Sequence, residues 1–216
     1  MCTSGAATGL IGMIRYLGSA GDAVLAAHPE VVIGPGRVQA WAVGSGTAED
    51  SAAALDAALA DGVPLVVDAD ALRVVPRALH QPVVLTPHAG ELAAMLDIPR
   101  EQIEADQLHH VRAAAATWGC VVLLKGHHSL IAAPDGRVRV TTAGTPWLGV
   151  AGAGDVLTGV IGSLLAAGLD PFDAASVGSW LHGAAATRAG RGGPVSPLRV
   201  AGEIPCLVRE LLQGAR

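Results

Sequence analysis

The sequence predicts a three-layer α/β/α fold on a mostly parallel, doubly wound sheet. Short β-branched runs alternate along the chain with Ala- and Leu-rich helical patterns. The strand runs are continuously apolar, which is typical of parallel strands buried on both faces. No repeat, heptad pattern or low-complexity segment interrupts this order. We therefore expect residues 1–216 to form a single domain.

Each predicted strand leads into a helix or a turn. The strand runs are VQAWAV at 38–43, PLVVD at 64–68, VVLTP at 83–87 and VVLLKG at 121–126. The segment LIAAPDGRVRVT at 130–141 predicts a hairpin, because Asp135-Gly136 is a favourable turn pair. Helices are predicted from Glu49 to Ala60, from Gly90 onward, and over 101–118, 155–168, 172–190 and 200–213.

The composition excludes several classes of protein. Apolar residues make up 51% of the chain, but only four Trp, one Tyr and one Phe are present, so the core must depend on Ala, Val and Leu. A net charge of -5 without a basic stripe argues against a nucleic-acid partner. Three widely spaced cysteines fit neither a disulfide framework nor a CxxC metal site, and no secretory signal pattern is found at the start. We therefore expect a cytoplasmic protein.

No membrane partner is expected either. The uncharged run from Val156 to Leu169 has 14 residues. A spanning helix needs about 20.

Glycines precede the predicted helix at 155–168. In GVAGAGDVLTG they leave the backbone N–H groups of Gly152, Ala153 and Gly154 free to form an anion hole at the positive end of the helix dipole. Asp155 stands at the helix start, where it either caps the helix or acts as a base on a substrate hydroxyl. No Walker motif and no G-x-S-x-G elbow is present. A phosphate site here would be a helix N-terminus without a lysine in the loop.

Polar residues also follow three predicted strands, at the sheet edge where ligands of doubly wound proteins bind. Asp68 and Asp70 could order a metal–water shell or cap the next helix, and the pattern leaves both open. Glu91 could help to order Mg2+ or favour a helix N-terminus, and His88 is a candidate ligand contact. Lys125 could reach a phosphate or a ribose.

The neighbouring pair His127 and His128 raises a metal question. Adjacent residues of a turn seldom both reach one ion. Exposed turn residues are therefore the better interpretation of this pair.

In this order, VGSG, VVDADAL, LTPHAGE, LLKG and GAGDVLTG resemble the ADP/ATP-dependent NAD(P)H-hydrate dehydratases, a branch of the ribokinase-like superfamily. The resemblance runs from about residue 4 to about residue 190. It implies that ADP, or ATP, phosphorylates the C6 hydroxyl of the S form of hydrated NADH or NADPH, and that phosphate is then eliminated. It also implies Mg2+ on the nucleotide phosphates and a homo-oligomer, often a tetramer among relatives.

The resemblance assigns roles residue by residue. Asp155 matches the catalytic base, which also contacts the hydrate. Gly154 matches a nucleotide contact beside the anion hole, and no residue is assigned as a protein metal ligand. The substrate contacts match Ala6, Gly46 and His88. The segment that lines the adenine nucleotide matches Lys125, Gly126, His127, His128 and Ser129.

The chain departs from the family pattern in three places. It lacks the glycine-rich first strand that usually precedes SGAA, which is expected to leave an unpaired sheet edge. HHS follows the lysine-glycine pair where small residues are usual, and Arg73 stands where Asn is more usual. The epimerase domain often fused to the family is also absent. Two other hypotheses therefore stay open: a small-molecule kinase of the same superfamily, acting on a sugar or vitamin alcohol, and a nucleotide-binding relative without catalysis.

Overall fold

The strands lie in two sheets. The structure, a computed structural model, describes residues 2–47 and 50–214. A two-stranded parallel sheet pairs β1 (Arg15–Tyr16) with β2 (Val32–Ile33). A six-stranded sheet contains β3 (Trp41–Val43), β4 (Leu65–Val67), β5 (Val83–Leu85), β6 (Val121–Leu124), β7 (Ser129–Ala132) and β8 (Val138–Thr141).

The strands of the larger sheet follow one another in chain order. The first four are parallel, and β7 and β8 form an antiparallel hairpin on β6. The turn of this hairpin contains Asp135 and Gly136, whose φ is +89°, as predicted. In the described ranges β4 is the sole strand that pairs with β3, so the other edge of β3 is unpaired there.

Helices cover both faces of this sheet. They are α1 (Cys2–Thr8), α2 (Gly21–Ala27), α3 (Ser51–Ala60), α4 (Ala89–Leu96), α5 (Arg100–Ala105), α6 (Gln107–Trp118), α7 (Ala153–Ala166), α8 (Pro171–Gly190) and α9 (Pro197–Gly214). Short 3-10 helices lie at Ala69–Arg73 and Pro146–Leu148. None of the helices described is long and apolar enough to cross a membrane.

Side chains alternate between the two faces of each strand, and this creates two cores. On β4, Leu65 and Val67 pack against helices α3 to α6, whereas Val66 packs against α7 and α8. A third cluster joins α7 to α8 and α9 through residues such as Val156 and Ile204. The predicted three-layer, mostly parallel fold is confirmed.

Two predictions about helices were wrong in detail. The helix expected over 101–118 is two helices, because Asp106 adopts φ -143° and caps the second with its carboxylate, which accepts from His109 N. The helix expected from residue 155 begins at Ala153, with Gly152 as its N-cap at φ +88°. The predicted start at Glu49 lies outside the described residues.

One glycine allows β3 and β4 to meet closely at their carboxyl ends. Gly44 follows β3 with φ +131°, and a Cβ built on it would lie 1.7 Å from the carbonyl oxygen of Asp68. No side chain fits there, and the positive φ disfavours other residues as well. Gly44 therefore sets the position of Asp68.

We expect Gly44→Ala to lower the free energy of unfolding by about 3 kcal/mol or more, because the new methyl group meets a backbone carbonyl that cannot move cheaply. The control is Gly62→Ala, at φ +64° with no atom within 4 Å of the built Cβ. Gly62→Ala should lower the free energy of unfolding by about 1 kcal/mol, which is the cost of a positive φ for alanine without any clash. Urea unfolding followed by circular dichroism measures both, and equal losses would contradict the close approach.

Candidate active site

Polar side chains from three strands meet at the carboxyl edge of the larger sheet. Asp68 follows β4, His88 follows β5 and Lys125 follows β6. Pairing between β5 and β6 continues past their ends. The N–H of Lys125 donates to the carbonyl oxygen of Pro87 at 2.8 Å, and the backbones of His88 and Lys125 form an isolated parallel β-bridge. The parallel order of the strands therefore brings together residues that are far apart in sequence.

Asp68 lies at the centre of this group. Its side chain is buried, with 3% of the residue exposed. One carboxylate oxygen accepts from Lys125 Nζ at 2.6 Å, and the other accepts from Thr158 Oγ1 of α7 at 2.9 Å. The side chain does not cap the 3-10 helix that follows it. Of the two possibilities left open for Asp68, capping is thus excluded, and its carboxylate joins β4, β6 and α7.

Lys125 lies between two carboxylates. Its Nζ contacts Asp68 at 2.6 Å and Glu91 Oε2 at 3.6 Å, and 20% of its side chain is exposed. This exposed part is where an anionic ligand could reach the ammonium group.

His88 and Glu91 cap α4 reciprocally. Glu91 N donates to His88 Nδ1 at 3.1 Å, and His88 N donates to Glu91 Oε2 at 2.7 Å. Glu91 thus favours the helix N-terminus, one of its two expected roles. Because Nδ1 accepts, a neutral His88 ring carries its proton on Nε2. Nε2 lies 3.6 Å from Glu91 Oε1, and 58% of the His88 side chain is exposed at the sheet edge.

The first turn of α7 lies beside the Asp68–Lys125 pair. A Cβ built on Gly154 would lie 3.6 Å from both Asp68 Oδ2 and Lys125 Nζ. Glycine therefore leaves the space before Lys125 open. Asp155 is half-buried in the same turn.

The expected anion hole needs one correction. Ala153 N–H donates to Val150 O at 3.2 Å and so is engaged within its own loop, because the turn before α7 closes on itself. No hydrogen bond engages the N–H groups of Gly152 and Gly154 within residues 2–47 and 50–214. The N–H groups of the two glycines therefore stay in the expected anion hole, and that of Ala153 does not.

The loop before α7 is held by α8 and α9. A Cβ on Gly183 of α8 would lie 2.2 Å from Ala143 O, so the helix backbone touches the loop directly. Trp147 Nε1 donates to Gly192 O at 3.3 Å. Pro197 of α9 packs beside Gly152, since a Cβ built on Gly152 would lie 3.4 Å from the proline ring. The start of α7 is therefore fixed from outside the sheet.

The remaining residues expected at the site include Gly46, Ser129 and Ala6. Gly46 is exposed in the loop after β3, at φ +71°, and Ser129 begins β7 at the same edge as Lys125. Ala6 is half-buried on α1, which packs on α7 near Gly159, beyond the first turn that holds Asp155.

The KGHHS turn is exposed. Gly126, His127 and His128 lie at the surface, and the two imidazole rings are 4.6 Å apart. No group of three or more His, Cys, Asp or Glu side chains that could hold a metal occurs in the part of the chain that the structure describes. The exposure of His127 and His128 agrees with their interpretation as turn residues. Arg73 is also exposed.

Two residues of this region were not predicted. Thr158 was visible in GAGDVLTG, three residues after Asp155, where helical spacing places it on the same side of α7. His182 lies in α8 and is buried, with 8% of the residue exposed. A histidine in a helix rich in small residues was its only signal.

Comparison with known proteins places the chain in a family. Residues 1–200 match the family model described as NAD(P)H-hydrate dehydratase. A bifunctional NAD(P)H-hydrate repair enzyme Nnr of Mycobacterium tuberculosis is 44% identical over 82% of this chain, which spans only 39% of that relative. An ADP-dependent (S)-NAD(P)H-hydrate dehydratase of Neisseria meningitidis is 38% identical over 88% of this chain and 70% of the relative.

Solved structures agree with this result. An ADP/ATP-dependent NAD(P)H-hydrate dehydratase from Bacillus subtilis, co-crystallized with ATP/Mg2+, matches with a TM-score of 0.87 at 25% identity, over 97% of this chain and 83% of the other. A ribokinase-like superfamily protein from Enterococcus faecalis matches with a TM-score of 0.80 at 22% identity, which shows the shared fold. The chain belongs to the NAD(P)H-hydrate dehydratase family and has the ribokinase-like fold.

Proposed function

We propose that this chain catalyses the ADP-dependent dehydration of the S form of hydrated NADH or NADPH. The main support is the first turn of α7, which carries Asp155 and lies against the Asp68–Lys125 pair at the carboxyl edge of a parallel sheet. Family membership and the names of the relatives, which include an ADP-dependent (S)-NAD(P)H-hydrate dehydratase, give the substrate class.

In the proposed reaction the C6 hydroxyl oxygen of the hydrate attacks the terminal phosphorus of the nucleotide. Asp155 accepts the hydroxyl proton as the new P–O bond forms, and AMP leaves when the donor is ADP. The C6–O bond then breaks, phosphate departs with the electron pair, and a proton leaves the neighbouring carbon. The product is the reduced nicotinamide ring, and water has been removed overall.

Phosphoryl transfer depends on positioning and on neutralising charge rather than on covalent chemistry by the protein. The free N–H groups of Gly152 and Gly154 suit a phosphate at the positive end of α7. Lys125 supplies a positive charge close to this turn, since its Nζ lies 3.6 Å from the position that a Cβ on Gly154 would take. The exposed side chain of His88 lies at the same sheet edge, where a polar group of the hydrate can reach it.

The charge of the site itself favours a metal-bound nucleotide. Asp68 and Glu91 place two carboxylates within 3.6 Å of the ammonium group of Lys125. A nucleoside diphosphate adds further negative charge, which would repel these carboxylates. Mg2+ carried on the phosphates would supply the missing positive charge.

The test is to add ADP and Mg2+ to chemically prepared NADH hydrate and to follow the absorbance of the reduced nicotinamide. We expect recovery with the S form and none when the nucleotide is omitted, and ATP is compared in parallel. Phosphorylation of a sugar or vitamin alcohol without recovery of NADH would instead support the small-molecule kinase. Calorimetric binding of ADP without turnover of any substrate would support a relative without catalysis.

We expect Asp155→Asn to lower kcat by about 10²-fold to 10⁴-fold, because the amide cannot accept the hydroxyl proton. The Kd for ADP should change by less than about threefold, since the asparagine keeps the size of the side chain. Recovery assays and calorimetry measure the two quantities. A variant with near-normal kcat would remove Asp155 from the role of base.

We expect Lys125→Met to raise the Kd for ADP by about tenfold or more, because it removes a charged donor to the phosphates. The control is Arg100→Met, which removes an exposed cation from α5 and should leave the Kd unchanged. Because Lys125→Met leaves Asp68 buried without its counter-charge, the double variant with Asp68→Asn is also measured. An unchanged Kd in both Lys125 variants would exclude the phosphate contact.

A further inference from the structure

A half-exposed tryptophan lies on the loop before α7, residues 142–152. Trp147 is 46% exposed, and Val150 of the same loop is 43% exposed. Apolar side chains at the surface beside a few polar groups are the usual lining of a small-molecule site. The polar groups here are the backbone donors at the start of α7, which the same loop precedes.

Strand pairing places this loop at the ligand edge of the larger sheet. Thr141, the last residue of β8, pairs with Ser129, the first residue of β7. The loop therefore begins at the edge where Lys125 follows β6. It ends at α7, where a Cβ built on Gly154 would lie 3.6 Å from Lys125 Nζ. Trp147 thus lies midway along a loop that starts and ends beside the candidate phosphate site.

Trp147 also lies near Gly152, one of the two donors expected to bind phosphate. It precedes Gly152 by five residues, and even an extended chain of that length would span only about 18 Å. A 3-10 helix and two turns shorten the distance further. The connection between α8 and α9 touches both residues, since Trp147 Nε1 donates to Gly192 O at 3.3 Å and Pro197 packs beside Gly152.

The indole ring is held in place. The backbone N–H of Trp147 donates to Thr145 Oγ1 at 3.4 Å, and the next residue, Leu148, packs against the cluster that joins α7 to α8 and α9. The ring N–H is bonded to Gly192 O, so the ring cannot turn toward the core without losing that bond. A flat ligand that stacks on a fixed ring costs little conformational entropy at this side chain.

The direction of phosphoryl transfer indicates which ligand meets this ring. The attacking and leaving oxygens lie on opposite sides of the transferred phosphorus. The order of the strands places Lys125 of β6 between His88, after β5, and the loop that follows β8. A hydrate bound on the His88 side therefore leaves the β8 side, where Trp147 lies, to the departing nucleotide.

We propose that Trp147 is a specificity-determining residue, on which the purine base of the nucleotide stacks. This inference rests on the proposed function, because that function places the nucleotide phosphates at the start of α7. Aromatic side chains bind bases through their π faces, and a rigid indole offers a large face for such stacking. The site would then distinguish a purine nucleotide from a phosphate compound without a base.

The test measures the Kd for ADP and for inorganic pyrophosphate, each with Mg2+, by calorimetry or competition. We expect Trp147→Ala to raise the Kd for ADP by about tenfold, as loss of base stacking does at other sites. Trp147→Phe should remain within about threefold of the wild type, because its ring still stacks. The Kd for pyrophosphate should be unchanged in both variants, since pyrophosphate has no base.

Trp41 provides the matched control. It is also partly exposed, and its indole N–H donates to Asp61 Oδ2 at 2.8 Å, but it begins β3 and so lies at the opposite edge of the sheet. Trp41→Ala should leave the Kd for ADP unchanged. Tryptophan fluorescence gives a second measurement, because a stacked base quenches an indole. ADP should quench the wild type and Trp41→Phe, and this quenching should be lost in Trp147→Phe.

A purely structural role predicts a different pattern. Trp147→Ala and Trp147→Phe both remove the N–H bond to Gly192. If this bond were the whole contribution of Trp147, the two variants would lose affinity equally, and for pyrophosphate as well as for ADP. Either result would overturn the stacking role, and so would an unchanged Kd for ADP with a raised KM for the hydrate.

The outcomes also separate this inference from the proposed function. If Trp147→Ala does not fold, the fluorescence of Trp147→Phe decides, and persistent quenching by ADP would overturn the stacking role. If the wild type binds ADP but does not dehydrate NADH hydrate, the proposed function fails. The ADP affinities and the quenching then still test the inference.

Discussion

The carboxylate of Asp68 is the interaction on which the rest of the site depends. A buried carboxylate is costly unless its oxygens are paired, and here Lys125 and Thr158 each satisfy one oxygen. These two contacts join the ends of β4 and β6 to the first turns of α7. A single side chain thereby determines how far the helix that carries Asp155 lies from the sheet edge.

This geometry is possible only where backbone approaches closely, and the composition allows such approach. Gly44 admits the Asp68 carbonyl, and Gly154 leaves the space before Lys125 open. On the outer side, Gly178 and Gly183 let α8 touch α7 and the loop before it. A chain rich in Ala and Gly and poor in aromatic residues suits a structure whose site is built from backbone groups at close range.

The sequence predicted what depends on local pattern. The parallel strands, the hairpin and the helix that begins near Asp155 follow from apolar runs and glycine positions, and the polar residues after each strand meet as the parallel order requires. It did not predict the break at Asp106 or the two-residue strands β1 and β2, which have no periodicity to detect. Nor did it predict that Ala153 N–H is engaged, because that depends on the exact closure of one turn.

The role of Asp68 was also beyond local pattern, because it depends on partners distant in sequence. Asp68 was expected to order a metal shell or cap a helix, and its actual partners lie 57 and 90 residues further along the chain. Such pairs become visible only when the topology places the strand ends side by side. Asp68 holds α7 to the sheet through Thr158, about one turn after Gly154. A phosphate bound at the start of α7 would meet donors that need no rearrangement when charge shifts during transfer, which is where preorganised groups lower a barrier most effectively.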